Sequence, residues 1–131
     1  NITYKSNVYI KRPIDENKLI NECKKYDLAI LSIFPSNTNY RYCLPNKLFQ
    51  FIQSKLPIVS GPTPSISKII REYDIGVVAN SFSIDDLKEA ILSISKKEIL
   101  RMKKNFYAAS KELSWEKESK ILIESFQDIK N

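Results

Sequence analysis

Histidine is missing from all 131 residues, and with it go the usual zinc ligand and the commonest general base. Acid–base chemistry on this chain would fall to a carboxylate, or to a part of the protein outside it. Cysteine is scarce too. Cys23 and Cys43 stand far apart without CxxC spacing, so neither a metal site nor a redox pair follows. Cys23 falls on the apolar face of a helical pattern, where it serves as buried filler. Two glycines in the whole chain leave little room for flexible hinges. No apolar run approaches membrane-spanning length, and the first residues lack the apolar core of a signal peptide. A soluble, cytoplasmic domain is expected. The one methionine is Met102 and the chain opens at Asn1, which leads us to expect a piece of a longer protein.

What is present suffices for one core: 43% of the residues are hydrophobic. The net charge is +6, unevenly placed. Residues 1–65 carry nine Lys/Arg against four Asp/Glu, and residues 66–131 carry twelve against eleven. The excess lies in the first half, where an anionic partner or merely solvated lysines would account for it. The basic cluster Lys96, Lys97, Arg101, Lys103 and Lys104 reads as the solvated face of a helix. No nucleic-acid-binding motif accompanies the charge, and none is expected as a partner.

Apolar runs alternate with helical periodicity along the chain, the pattern of a parallel α/β sheet. Strands are expected at Asn7–Ile10, Leu28–Phe34, Pro57–Ser60 and Ile75–Ala79, the last three adjacent in the sheet. A helix is expected over Asp15–Tyr26, a polar loop over Pro35–Leu44 and a helix over Pro45–Lys55. Thr63 reads as an N-cap with Pro64 first in the helix carrying Ile66, Ile69, Ile70 and Tyr73. Three helices close the chain. Ser83 caps the first, with Ile84, Leu87, Ile91 and Ile94 inward. Ser95–Glu98 is a capping box for the second, and the third opens at Ser114 with Trp115, Leu122, Phe126 and Ile129 as its apolar stripe.

The stretch Asn39–Gln50 (NYRYCLPNKLFQ) carries the chemistry. Pro fits the first helical position, because the amide it lacks would have no intrahelical partner. The amides of Asn46, Lys47 and Leu48 would then point out of the helix start, at the positive end of the helix dipole. That is the local physics of an anion site. Lys47 in a first turn opposes the dipole, at a cost of about 0.3–1 kcal/mol, and a negative ligand would reverse the sign. The position also agrees with the rule that open parallel sheets bind ligands beyond the carboxyl ends of their strands. A solvated Lys47 behind an ordinary helix-starting proline is the plainer alternative.

The segment YCLPNKLFQFIQSKLPIVSGPTPSISKIIREYDIGVV resembles the donor-binding domain of GT-B fold glycosyltransferases of the group 1, GT4-like kind that build capsular and other bacterial surface polysaccharides. The flanks, NVYIKRPIDENKLINECKKYDLAILSIFPS, SFSIDDLKEAI and LSWEKESKILIESF, are similar to its neighbouring elements. The resemblance implies a partial Rossmann-like parallel sheet of three to four strands, with a helical carboxyl-terminal extension.

It implies too that residues 1–131 are the carboxyl-terminal part of the nucleotide-sugar domain. An amino-terminal acceptor domain and two strand–helix units would belong to the rest of the enzyme. In the usual strand order those units would separate Asn7–Ile10 from Leu28–Phe34. The donor diphosphate would lie on Pro45, Asn46, Lys47 and Leu48, the ribose at Gln50, and the base near Ile10, Lys11 and Arg12. The family usually has glutamate where Gln50 stands, and an acid where Tyr42 stands. No catalytic residue is identified on this chain, and the chain alone would be inactive. The nucleotide sugar is a substrate, so no cofactor and no metal are expected. The partners implied are that nucleotide sugar, the acceptor domain, and a saccharide or lipid-linked saccharide acceptor, with peripheral association at the inner face of the membrane. Two other readings are a catalytically degenerate GT-B-like binding or scaffolding module and a flavodoxin-like phosphate-sensing domain. The second lacks the acidic cluster it would need, since Asp27 alone lies near a strand end.

Overall fold

The computed structural model describes the backbone of residues 7–129 and the side chains of residues 7–127. Its elements are α1 (Glu16–Cys23), β1 (Ala29–Leu31), α2 (Thr38–Tyr42), α3 (Asn46–Gln53), β2 (Ile58–Ser60), α4 (Pro64–Tyr73), β3 (Gly76–Val78), α5 (Ile84–Leu92), α6 (Lys96–Glu112) and α7 (Trp115–Ile129). The three strands form one parallel sheet in the order β1-β2-β3, with Ala29 opposite Ile58 and Ile58 opposite Gly76. This is an α/β fold, and the three expected strands are adjacent as the sequence indicates.

Strand alternation sorts the side chains onto two faces. On one face Leu31 and Ile58 join Leu48 and Ile52 of α3, Ile66 and Ile70 of α4, and Phe106 and Ala109 of α6 in the main core. On the other, Val59 and Ala79 pack with Ala90 of α5, with Leu87, Ile91 and Ile94 alongside. A third, small cluster of Cys23, Ala29 and Leu56 holds α1 to the sheet, so Cys23 is the buried filler its position indicates. The apolar stripe of α4 is also as read: Ile66 and Ile70 are buried, and Ile69 and Tyr73 are partly so.

The ends of α4 are fixed by different means. Thr63 precedes it with Pro64 at the first position, yet its hydroxyl makes no cap. It donates instead to the Ile33 carbonyl at 2.5 Å, joining the loops after β1 and β2. At the other end Asp74 adopts the left-handed conformation (φ 50°). Its carboxylate pairs with the Arg101 guanidinium, and Asn105 Nδ2 donates to its carbonyl oxygen at 2.9 Å, which binds α4 to α6.

Several expectations are corrected. Asn7–Ile10 forms no strand and is exposed: a strand needs a neighbour's amides and carbonyls, and β1 is not beside it. The stretch 35–44 is not a plain loop, because Asn37 accepts from the Tyr40 amide at 2.9 Å and caps the short α2. The strand at 28–34 shortens to β1, since the loop beyond is drawn to Thr63. Ile84 does not point inward; it is 84% exposed, just after the Ser83 cap. Trp115, Leu122 and Phe126 are exposed as well, because no described element lies over that face of α7. Ile129 lies outside the described side chains.

Candidate functional site

Parallel strands put the loops after β1, β2 and β3 at one edge of the sheet, together with the starts of the helices that follow them. These loops are fastened to one another. Beside the Thr63–Ile33 hydrogen bond, Phe34 and Phe82 meet edge to face with ring centroids 5.2 Å apart. Gly61 lies under the Phe82 ring, where an added Cβ would come within 2.3 Å of it. The loops after β1, β2 and β3 are thereby joined to one another.

Pro45 is not the first helical residue. Its extended dihedrals (φ −72°, ψ 148°) make it the N-cap, and the helix begins at Asn46. The shift alters the count of free donors. The Leu48 amide donates to the Pro45 carbonyl at 2.9 Å, and the Leu48 side chain is fully buried in the core. The Asn46 and Lys47 amides have no backbone acceptor among the described residues. Both side chains are exposed, and no carboxylate among the described residues pairs with Lys47. The first turn of α3 holds no acid at all. Two free amides, a helix dipole and one cation therefore face solvent together.

Gln50 sits one turn further on, in reach of Asn46 by helical spacing. Its side chain lines a cleft of about 460 Å³ between α1, α3 and the junction of α6 with α7. Gln53, a further turn down, donates from Nε2 to the Ser110 and Leu113 carbonyls at 3.0 and 3.4 Å and fixes that junction. The cleft brings in Trp115, Glu116 and Glu118, which sequence reasoning missed as site residues. Tyr42 is exposed at the end of α2 and lines neither this cleft nor the next.

Lys11 and Arg12 line a separate groove, also of about 460 Å³, with Lys18, Glu22 and Lys25 of the α1 region. Lys11 is committed there. Its ammonium donates to Glu22 Oε1 at 2.8 Å and to the Tyr26 hydroxyl at 2.5 Å, and lies 5.1 Å from the centre of the Tyr26 ring. Hydrogen bonds from Lys11 and Lys25 draw the Glu22 carboxyl down from 4.5 to about 2, and the hydrogen bonds of Lys11 to Glu22 and then to Tyr26 raise Lys11 above its ordinary range. Ile10 is exposed and lines neither cleft. The helix start, the Gln50 cleft and the Lys11–Arg12 groove are thus three neighbouring places, not one pocket. Among the described residues no group of three His, Cys, Asp or Glu side chains converges as metal ligands would. No helix of the described residues is long and apolar enough to cross a membrane.

No curated protein and no solved structure matches this chain. A family model does, over residues 2–123, nearly the whole length. The chain belongs to the family of glucosyltransferase 3-like, C-terminal domains, and is a glycosyltransferase-related domain.

Proposed function

We propose that this chain is the donor-binding part of a GT-B-type glycosyltransferase, taking the diphosphate of a nucleotide sugar at the start of α3. One observation carries the reading: the Asn46 and Lys47 amides and the unpaired Lys47 ammonium open together at the carboxyl edge of a parallel sheet. Leu48 contributes its buried side chain as an anchor and not its amide. Pro45 fixes the direction of entry. Helical rise separates Asn46 from Gln50 by about 6 Å, a span that a phosphate and the ribose of one nucleotide can bridge. The Gln50 amide then meets ribose hydroxyls as acceptor or donor. Arg12 and the groove beside it lie on the side proposed for the base, with Lys11 shaping that groove through Glu22 and not as a free cation. Sugar transfer to a saccharide or lipid-linked acceptor, in a surface-polysaccharide setting at the inner face of a membrane, is the activity proposed for the whole enzyme. An acceptor domain and the preceding strand–helix units complete it. Gln50 and Tyr42, where the resemblance leads one to expect acids, favour a second reading, a binding module that keeps the nucleotide and has lost transfer.

The deciding experiment is thermal unfolding of the full chain with and without UDP or GDP. A ligand that binds the folded state alone stabilises it by about 2.7 kcal/mol at a hundredfold excess over its dissociation constant. The expected result is a concentration-dependent rise in Tm that Lys47→Glu abolishes while the circular dichroism stays unchanged. A rise of equal size in Lys47→Glu, or none in either protein, removes the diphosphate from this helix start.

A further inference from the structure

The buried side of α6 is Met102, Phe106 and Ala109, so the opposite side of the helix faces away from the sheet. Helical spacing arranges the side chains there in rows. Lys97, Lys104 and Lys111 follow one another in a line about 21 Å long, at about 1.5 Å of rise per residue. Leu100 and Tyr107 form the next row, and Lys96 and Lys103 the row beyond. A merely solvated basic face gives no reason for apolar side chains among the lysines. Yet Leu100 is 64% exposed and Tyr107 71%, with lysines on both sides of them. Lys55, from the end of α3, brings its ammonium to 5.9 Å from the centre of the Tyr107 ring. None of these lysines is ion-paired among the described residues. The acids of α6 are engaged elsewhere, Glu98 in its cap with Ser95 and Glu112 as acceptor of the Tyr73 hydroxyl at 2.7 Å.

We propose that the outer face of α6 docks the protein onto an anionic lipid surface, Leu100 and Tyr107 entering the headgroup boundary and the flanking lysines reaching lipid phosphates. A lysine stem lies along apolar surface while its ammonium stays at the polar level, so a lipid surface takes both kinds of side chain together. Duplex DNA would satisfy the lysines and leave Leu100 without an apolar partner. A folded protein would have to pair each ammonium as it lost water, which a fluid layer of headgroups does not demand. Docking there leaves the start of α3 open. The polar contacts of α6 with α3 and α4 fall at the ends of those helices: Arg101 and Asn105 on Asp74, Glu112 on Tyr73, and Gln53 on the Ser110 carbonyl. Both helices begin at the carboxyl edge of the sheet, so α6 lies toward the opposite edge. The inner face of a membrane as the source of the anionic lipid rests on the glycosyl-transfer reading above; the charge and exposure of α6 do not.

The test is co-sedimentation of the full chain with vesicles of phosphatidylglycerol or of phosphatidylcholine, beside a titration with duplex DNA. The expected result is salt-sensitive binding to phosphatidylglycerol and none to phosphatidylcholine. A lysine near an anionic surface contributes about fivefold in affinity, so Lys97→Gln, Lys104→Gln and Lys111→Gln together should weaken binding about a hundredfold. The same loss of charge at Lys24, Lys117 and Lys120, outside this face, should weaken it far less. Leu100→Ser with Tyr107→Ser keeps the charge and should still weaken binding about tenfold or more. All of these side chains are exposed, so circular dichroism should be unaltered. No binding to phosphatidylglycerol, equal binding to phosphatidylcholine, equal loss in the two lysine sets, or a silent apolar pair overturns the proposal. DNA binding as tight as vesicle binding overturns it as well. The α6 variants should keep the UDP-induced rise in Tm. Vesicle binding without a nucleotide effect sinks the donor reading alone, and a nucleotide effect without vesicle binding sinks this one alone.

Discussion

A methyl group on Gly76 would stand 1.9 Å from the Ile58 carbonyl oxygen, so β3 can lie against β2 only because residue 76 has no side chain. The oxygen belongs to backbone held in the sheet and cannot move aside. Gly76→Ala should therefore lower stability by about 3 kcal/mol, the upper part of the range for overpacking a core. A urea titration checks this: the midpoint should fall while the slope stays the same. An unchanged midpoint would show that β3 can shift without loss. Single residues also mark where sequence reading stopped. Lys47 was legible as a cation in the wrong turn of a helix, because composition and position alone state the conflict. Leu48 was legible as apolar, but its amide was not legible as occupied. That depended on Pro45 being the cap and not the first helical residue, a one-residue difference of the kind helix boundaries routinely carry.

At the scale of the element, α6 was the most readable part of the chain. Ser95 and Glu98 form both halves of a capping box, the serine hydroxyl accepting from the Glu98 amide and the Glu98 carboxylate from the Ser95 amide at 2.7 Å. Met102, Phe106 and Ala109 follow at helical spacing and are buried. Ser95→Ala should cost about 1 kcal/mol. The Glu98 carboxyl, held below its ordinary range by the Ser95 backbone and side chain, should lose part of that lowering in the same variant. Chemical denaturation and a carboxyl-carbon NMR titration measure the two effects. Should Ser95→Ala be silent in both, the cap is not closed in solution. α2 was missed because five polar and aromatic residues have no apolar period to betray a helix; only Asn37 signals it. The apolar stripe of α7 was legible, but periodicity says which residues share a face, not whether anything covers that face. Trp115, read as part of that stripe, lines the cleft with Glu116 and Glu118.

For the whole molecule, the sheet has two unlike sides of β1. Ala29 donates to the Pro57 carbonyl at 2.8 Å, so by parallel alternation Ala29 and Leu31 turn their amides toward β2 and Ile30 turns its own to the open edge. The Ile30 side chain is 57% exposed as well, beside Ile84, Leu87 and Leu92 in an apolar groove of about 330 Å³. Among the described residues that edge has no neighbouring strand, and such an edge next to exposed apolar side chains is a surface that accepts another strand. Under the proposed function, the strand–helix units that precede residue 7 in the whole enzyme take that place, between β1 and the exposed segment Asn7–Ile10. Amide hydrogen exchange distinguishes this from a solvated edge. In the 131-residue chain Val59, in the central strand, should exchange near the rate of global unfolding, and Ile30 should exchange many-fold faster. In a longer protein carrying the preceding units, the Ile30 amide should gain protection comparable to that of Val59, because its hydrogen would be bonded to a new parallel neighbour. If Ile30 stays fast there while the added residues are themselves protected, they fold elsewhere. The edge of β1 is then a true boundary of the sheet, and the partial-domain reading of this chain fails with it.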